Sequence, residues 1–401
     1  MRDAGKAQLE RRRLLPRLLL SAALALASSS ARAAELFPED DATCPPDDDE
    51  AALLCPRPGD AGVAAPAPAE ACLKFDAGPA DGGAPSGPET SLGSTRVRVR
   101  PTSVRPGDLF EIDVQGQRLR SAAGSFGGEP VTLFATGASS FRGFVAVPLD
   151  HAVGPALVHV AVVDEQMVTR SGSATLQLVD RTVIKKTITV SSKFTSPAAA
   201  QVAQMKADAK AISASYRIAF GPPLFTGNFV DPLGHERGSR FGERRVFNGR
   251  TKSRHWGLDI DGERGEAVHA ANDGLVTLAR PCFMSGWTVL VSHGAGLFTG
   301  YFHFSKFAVK TGDRVKKGEV LGYVGSTGRS TGPHLHFAAK LNDTLVDPEA
   351  LLDFDFAAAG SAIAAAGGPD AGTGLGASRE PAACPAAMDA GAASAANVEA
   401  R

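Results

Sequence analysis

Three observations predict an all-β chain. From Thr95 to Val190, and again from about Phe225 to Phe354, apolar residues recur with period two, which in a strand turns one face to the core. Glycine and proline interrupt these runs at short intervals, as turns between short strands require. Helix signals are few, the clearest being Ser196-Pro197, an N-cap followed by proline at the first helical position. A length of 401 residues allows two or three domains, and a net charge of −1 gives no reason to expect a nucleic-acid partner.

Taken in order, residues 1–33 read as a secretory signal. Arg11-Arg12-Arg13 closes a basic region, Leu14 to Ala27 is an apolar run, and Ala31-Arg32-Ala33 has the small-x-small form of a cleavage site. The apolar run is shorter than the roughly 20 residues of a membrane span, so the mature chain is expected to begin near Ala34, exported and without a transmembrane segment. Residues 34–93, rich in Ala, Pro, Asp and Gly, bury too little apolar surface to offset their chain entropy and are expected to be a disordered spacer. The five cysteines, Cys44, Cys55, Cys72, Cys282 and Cys384, include no C-x-x-C pair, which argues against a thiolate metal site and leaves the pairing open.

Residues 94–190 carry seven or eight short strands, marked by Val97 and Val99, Leu109 to Val114, Val131 and Leu133, Val145 and Val147, Val158 to Val162, Leu176 and Leu178, and Ile188 and Val190. Turns such as Pro106-Gly107-Asp108 separate them, and the expected architecture is an antiparallel β-sandwich of immunoglobulin-like type without the Cys-Trp-Cys framework of antibody domains. His151 and His159 are expected at its surface. Residues 191–238 form a helical connector, with Val202, Met205, Ile212 and Tyr216 on one helical face. Residues 239–356 are a second β domain, with strands at Leu275–Ala279, Thr288–Ser292, Gly300–Phe304, Val320–Val324 and His334–Ala339. Residues 357–401, Ala/Gly-rich, are expected to be a disordered tail.

The second β domain holds the chemistry. His255-Trp256-Gly257-Leu258-Asp259 and His334-Leu335-His336 supply three imidazoles and a carboxylate, ligand types that zinc takes after thiolate. His334 and His336, two apart, turn to one face of an extended strand. His303 alternates with bulky apolar neighbours in Tyr301-Phe302-His303-Phe304, as a strand residue facing a polar cleft would.

Residues 239–350 resemble the lysostaphin/LytM-type zinc endopeptidases of bacterial cell walls. The matching stretches are Phe241-Gly242, His255 to Ile260, Ala270 to Gly274, Ser292-His293-Gly294, Val309 to Asp313, Gly325 to Phe337 and Val346-Asp347-Pro348. The resemblance implies that His255, Asp259 and His336 hold Zn2+, and that His303 and His334 assist catalysis without binding the metal; which of the two is the base stays open. It also implies a peptidoglycan peptide as substrate. His293 matches a family histidine that is not a ligand, and His269 is assigned to structure. His235, just upstream, is an exposed loop histidine on the simpler reading and a fourth ligand on the other. Trp256 in place of a small residue, Trp287 in place of asparagine, and the absence of proline from Asp261 to Gly265 depart from the family pattern and are expected to reshape the groove. Glycines 325, 328 and 332 are expected to permit the turns that aim the H-x-H strand.

Three functions fit: a zinc metalloendopeptidase cutting peptide cross-links of peptidoglycan; a non-catalytic relative that activates a cell-wall amidase, disfavoured because all five site residues are present; and a wall-binding protein, for which no motif speaks. The sandwich is expected to position the catalytic domain or to cover its groove.

Overall fold

The structure, a computed structural model, describes residues 88–218, 221–249 and 251–357. The signal segment, the spacer up to residue 87 and the tail from residue 358 lie outside the described residues, as do Cys44, Cys55, Cys72 and Cys384; Cys282 is reduced and buried.

The first half is a two-sheet sandwich. Its strands are β1 (Glu89–Leu92), β2 (Thr95–Arg100), β3 (Ser103–Val104), β4 (Leu109–Gln115), β5 (Leu119–Phe126), β6 (Glu129–Val131), β7 (Phe134–Gly137), β8 (Ser140–Ala146), β9 (Gly154–Asp164) and β10 (Thr169–Leu178). Two five-stranded sheets, ordered β1-β2-β4-β8-β7 and β3-β10-β9-β5-β6, enclose one core of valine, leucine and phenylalanine. In β2, Thr95-Arg96-Val97-Arg98-Val99-Arg100, the valines are fully buried and the arginines turn outward, as period two dictates. Two results differ from the expectation. β1 lies inside the stretch read as spacer, and β5 lacks a β-branched stripe because its sequence, Leu-Arg-Ser-Ala-Ala-Gly-Ser-Phe, is mostly small residues.

The expected last strand of the sandwich belongs elsewhere. β11 (Lys185–Ile188) is followed by a single helical turn at Ser192–Phe194 and by α1 (Ala199–Tyr216). β11 pairs in parallel with β12 (Arg244–Phe247), which pairs with β13 (Thr251–Arg254), so Ile188 sits in a sheet of the second half. Helix α1 starts after Ala198, two residues beyond the expected cap, and the Ala198 N–H donates to Gln201 Oε1 at 2.8 Å. Ile212 and Tyr216 face the core and Met205 packs beside them, whereas Val202 is exposed. The buried Asp208 ties the helix down: it accepts from Arg280 at 2.9 Å and from the Phe283 N–H at 2.7 Å.

The remaining strands are β14 (Leu258–Asp261), β15 (Ala267–His269), β16 (Gly274–Cys282), β17 (Gly286–Ser292), β18 (Leu297–Phe304), β19 (Lys306–Phe307), β20 (Arg314–Val315), β21 (Val320–Tyr323), β22 (His334–Leu341) and β23 (Thr344–Val346), closed by α2 (Pro348–Asp353). The central sheet runs β14-β22-β18-β17-β16-β20, with β23 on β22; β15, β21 and β19 make a small second sheet. Alternation along β22 divides its residues. Leu335, Phe337, Ala339 and Leu341 enter one core, while Ala338 joins the other beneath α1 and His334 and His336 stay at the open end of that face. The helix thus covers the apolar part of the face and leaves the histidine end as a groove.

The two halves share a core. Phe144 of β8 touches the rings of Phe225, Phe354 and Phe356 at centroid distances of 5.2 to 6.1 Å. Arg181 spans the seam, donating to the Pro106 carbonyl at 2.6 Å, to Asp108 at 2.6 Å and to Asp347 at 2.7 Å. Among the described residues no helix is long and apolar enough to cross a membrane.

Candidate metal centre and groove

Register brings the first three residues together. Asp259 on β14 lies directly opposite His336 on β22, and His336 lies opposite Phe302 on β18. Directly opposed residues share a face, so Asp259 and His336 meet side by side. His255, just before β14, is fixed by backbone bonds in both directions: its N–H donates to the Glu243 carbonyl at 2.8 Å and its carbonyl accepts from Gly242 at 2.7 Å. The result is a triangle: His255 Nε2 to Asp259 Oδ1 3.1 Å, His255 Nε2 to His336 Nδ1 2.9 Å, and His336 Nδ1 to Asp259 Oδ1 2.9 Å.

Protonation decides what the triangle is for. The ring nitrogen Nδ1 of His255 is 2.9 Å from the Arg240 carbonyl. A carbonyl only accepts, so the proton is on Nδ1 and the Nε2 lone pair points at the triangle. Burial pushes the His255 pKa down, which keeps the ring neutral. Burial opposes ionisation of Asp259, but the Arg245 guanidinium, 2.8 Å from Oδ2, favours the carboxylate. A lone pair and a carboxylate oxygen therefore face each other at 3.1 Å, an arrangement that a cation between them relieves. The spacings approach the roughly 3.4 Å between ligand atoms of a tetrahedral ion with bonds of about 2.1 Å. The three donors form a group of the kind that holds a metal ion. Behind them, the buried Arg245 on β12 donates to Asp259 Oδ2 at 2.8 Å, and the Arg240 carbonyl orients His255.

His303 and His334 flank the triangle. His303 has φ of +64°, a left-handed conformation at the end of β18 where the register with β17 shifts, and this aims its ring at the groove. Its Nδ1 donates to the Thr327 carbonyl at 2.7 Å, and His334 Nδ1 donates to the Gly332 carbonyl at 2.9 Å. Each ring is thus fixed with Nε2 as its working nitrogen. His334 Nε2 is 3.7 Å from Asp259 Oδ1, and the rings of His303 and His334 are 5.0 Å apart. Burial, with His334 and His336 adding to it, pushes the His303 pKa down to about 3.

All five expected site residues thus meet, four of them on the wall of one groove of about 350 Å3. His235 does not join them; it is half exposed and bonded to Glu266. His293 is buried away from the site, donating from Nδ1 to the Asp273 carbonyl at 2.7 Å and meeting Thr299 Oγ1 at 2.8 Å. Trp256 is buried against Phe241 and Trp287 stacks on Phe307, and neither lines the groove, so these departures act through the core. Of the glycines before the H-x-H strand, Gly328 has φ of +73°, and a β-carbon there would overlap the Gly286 nitrogen and stand 2.5 Å from the Met284 carbonyl oxygen; a side chain at Gly332 would meet open space.

The groove also has walls that sequence motifs did not single out. Residues 186 to 190, from β11 onward, form one side together with Ser239, Arg245 and Phe247. Arg329 reaches across from the loop before β22, its guanidinium 4.5 Å from the centre of the Phe247 ring.

The β-sheets thus set a three-donor group able to hold a metal ion beside two oriented histidines. Residues 253–348 match peptidase family M23, and the chain carries a domain of that family. It is 41% identical over 120 residues to the DD-carboxypeptidase/endopeptidase Mpg of Neisseria meningitidis serogroup B, covering 30% of this chain and 28% of that protein. It is 35% identical over 139 residues to the peptidoglycan DD-endopeptidase ShyC of Vibrio cholerae, 31% of this chain and 32% of that protein. It is 40% identical over 109 residues to the glycyl-glycine endopeptidase ALE-1 of Staphylococcus capitis, 23% of this chain and 28% of that protein. The chain thus spans between 28% and 32% of the length of these relatives.

Proposed function

We propose that this chain is an exported zinc metalloendopeptidase that hydrolyses peptide cross-links of bacterial peptidoglycan. The observation that carries the reading is the convergence of His255, Asp259 and His336 into one triangle, with His303 and His334 oriented beside it. His255, Asp259 and His336 would hold the metal. When bound there, zinc supplies Lewis-acid polarisation of the scissile carbonyl and a water with pKa near 7. His303 and His334, each with Nδ1–H bonded to a backbone carbonyl, present Nε2 as a proton acceptor. One takes the proton from the attacking water and passes it to the leaving amine; the other, when protonated from solvent, donates a hydrogen bond to the developing oxyanion. Arg245 holds Asp259 in place, and the groove walls exclude water from one side of the peptide.

The substrate reading draws on the relatives' names, which include a peptidoglycan DD-endopeptidase and a glycyl-glycine endopeptidase. Export rests on the signal at residues 1–33 and on a substrate that lies outside the cytoplasm. The sandwich is read as an immunoglobulin-like positioning domain, and the domain limits 94–190, 191–238 and 239–356 stand as the working division, with β11 serving the second half. Presence of all five site residues speaks against a non-catalytic amidase activator. The test is digestion of purified peptidoglycan by the metal-loaded full chain, with product analysis. New peptide amino termini, lost with a chelator and restored by zinc, are expected; intact cross-links overturn the reading.

A further inference from the structure

One wall of the groove is the edge of a sheet. β11 is the outer strand of the sheet β11-β12-β13, and five consecutive residues, Lys186 to Val190, line the groove. A strand that turns one face to a site contributes alternate residues, so an unbroken run of five means that the strand edge itself faces the site. The ladder with β12 uses the even-numbered residues. The Ile184 and Ile188 carbonyls accept from the Arg244 and Asn248 N–H groups at 2.8 and 3.0 Å, and the Val190 N–H and carbonyl meet the Asn248 side chain at 2.9 and 3.0 Å. Successive residues of a strand point their main-chain groups to opposite edges, so Lys185, Thr187 and Thr189 turn N–H and carbonyl away from β12. Among the described residues no strand pairs with that edge, and Thr187 and Thr189 are exposed.

Exposed edges are usually blunted by charge, proline or a bulge, because they recruit other strands. Lysines stand at 185 and 186, but Thr187-Ile188-Thr189-Val190 is uncharged, β-branched and without proline, and the β11 register has no shift. Such a sequence suits pairing. The edge shares its groove with Asp259, His303, His334 and His336. Its place relative to them is fixed, since Lys186 stands opposite Arg245 and Arg245 holds Asp259 at 2.8 Å. A peptide entering the groove sheds water from its amides, and that loss is offset only where each amide finds a new partner. The N–H and carbonyl groups of Thr187 and Thr189, roughly 6.6 Å apart along the strand, provide such partners.

We propose that the peptide substrate binds as an added strand on β11, bonded to the main-chain groups of Thr187 and Thr189 and laid along the groove beside the metal cradle. The occupant is an extended peptide held through its own main chain, the mode by which exposed sheet edges take up peptides. This binding mode rests on the peptidase reading of the groove. It also puts a positioning element upstream of residues 253–348, outside the M23 match.

Hydrogen exchange resolved to single amides reads the edge directly. Soluble cross-linked peptidoglycan fragments are added, at about ten times their calorimetric Kd, to the zinc-loaded His334→Ala full chain, in which turnover is slow. Exchange at Thr187 and Thr189 is expected to slow about tenfold, since it then comes from the roughly one-tenth of chains left unbound. Lys186 and Ile188, already in the ladder with β12, should not change, and this alternation separates strand addition from simple cover. With the other site residues intact, T187P lacks the outward N–H and T187A keeps it; proline is tolerated at such an edge position. KM for the fragments should be about three- to tenfold higher in T187P than in T187A at equal kcat, as loss of one main-chain donor implies. No binding, equal KM values, unchanged exchange, or slowing spread evenly over residues 185–190 overturns the added strand. So does slowing that appears without fragments as protein concentration rises, which would assign the edge to a second copy of the chain. Failure of the peptidase reading looks different: the zinc-loaded wild type leaves the fragments intact, while the exchange pattern still decides whether the edge binds them.

Discussion

Gly257→Ala adds one methyl group at the tightest point of the metal cradle. A β-carbon there would stand 2.5 Å from His336 Cε1, 2.7 Å from His336 Nε2 and 2.6 Å from the Phe337 carbonyl oxygen. Ordinary contact begins at 3.4 Å, so the ring or its strand must give way by about 0.9 Å. His336 has no such slack: Nδ1 is 2.9 Å from both Asp259 Oδ1 and His255 Nε2. Metal–ligand distances tolerate only about 0.2 Å, and a misplacement of about 1 Å near reacting groups costs on the order of 10²-fold in rate. The backbone of Gly257 is one that alanine adopts without strain, which confines the effect to the steric clash. Zinc affinity is expected to fall at least tenfold and kcat/KM about 10²-fold, with near-ultraviolet circular dichroism showing a folded protein. Zinc content by mass spectrometry and hydrolysis of peptidoglycan fragments read the two effects. A variant with one zinc per chain and kcat/KM within twofold of the parent refutes the reasoning.

Further outcomes follow from the same geometry. His336→Ala should lose the metal, because two protein donors hold zinc poorly, whereas His303→Ala and His334→Ala should keep it and lose about 10²–10⁴-fold in kcat; a metal-free His303→Ala would put that residue among the ligands. Arg245→Met removes the bond to Asp259 Oδ2 and should weaken zinc binding about 10–100-fold, as titration with a competing chelator would show. Burial pushes the His293 pKa down to about 4, below the unfolded value near 6.5. The unfolded chain therefore binds more protons between those values, and stability should decline as pH falls through that window, by up to about 3 kcal/mol. Melting curves of wild type and His293→Asn from pH 7 to pH 4 test this, the variant being expected to show the shallower decline.

The five site residues were legible because each sits in a short stretch whose chemistry is local: H-x-x-x-D, H-x-H and a histidine among aromatics. Long regular strands were legible for the same reason, since Val158 to Val162 or Leu275 to Ala279 repeat with period two. What escaped was set by pairing across the chain. Ile188 and Val190 show the same alternation whichever sheet receives them, and only the register with Arg244–Phe247 assigns β11 to the groove side. Arg245 and Arg329 act through partners 14 and 82 positions away, Asp259 and Phe247, and nothing local distinguishes them from surface arginines. His303 read as a strand residue facing a polar cleft, but the φ of +64° at which the backbone turns its ring into the groove was not visible in the alternation. β5 was silent because alanine, serine and glycine carry little hydrophobic contrast.

The seam at Phe144 and Arg181 has a mechanical meaning. Opening it would expose Phe144, Phe225 and Phe356, at roughly 1.5–3 kcal/mol for each ring, and would strand Asp108 and Asp347 without their shared cation. The sandwich and the groove consequently move as one casting, with no swivel between them. Whatever surface the sandwich rests against fixes both the height and the heading of the groove above it. On the proposed function, the chain would then work as a caliper of set span, reaching bonds at one distance and one angle from its footing and passing over identical bonds elsewhere.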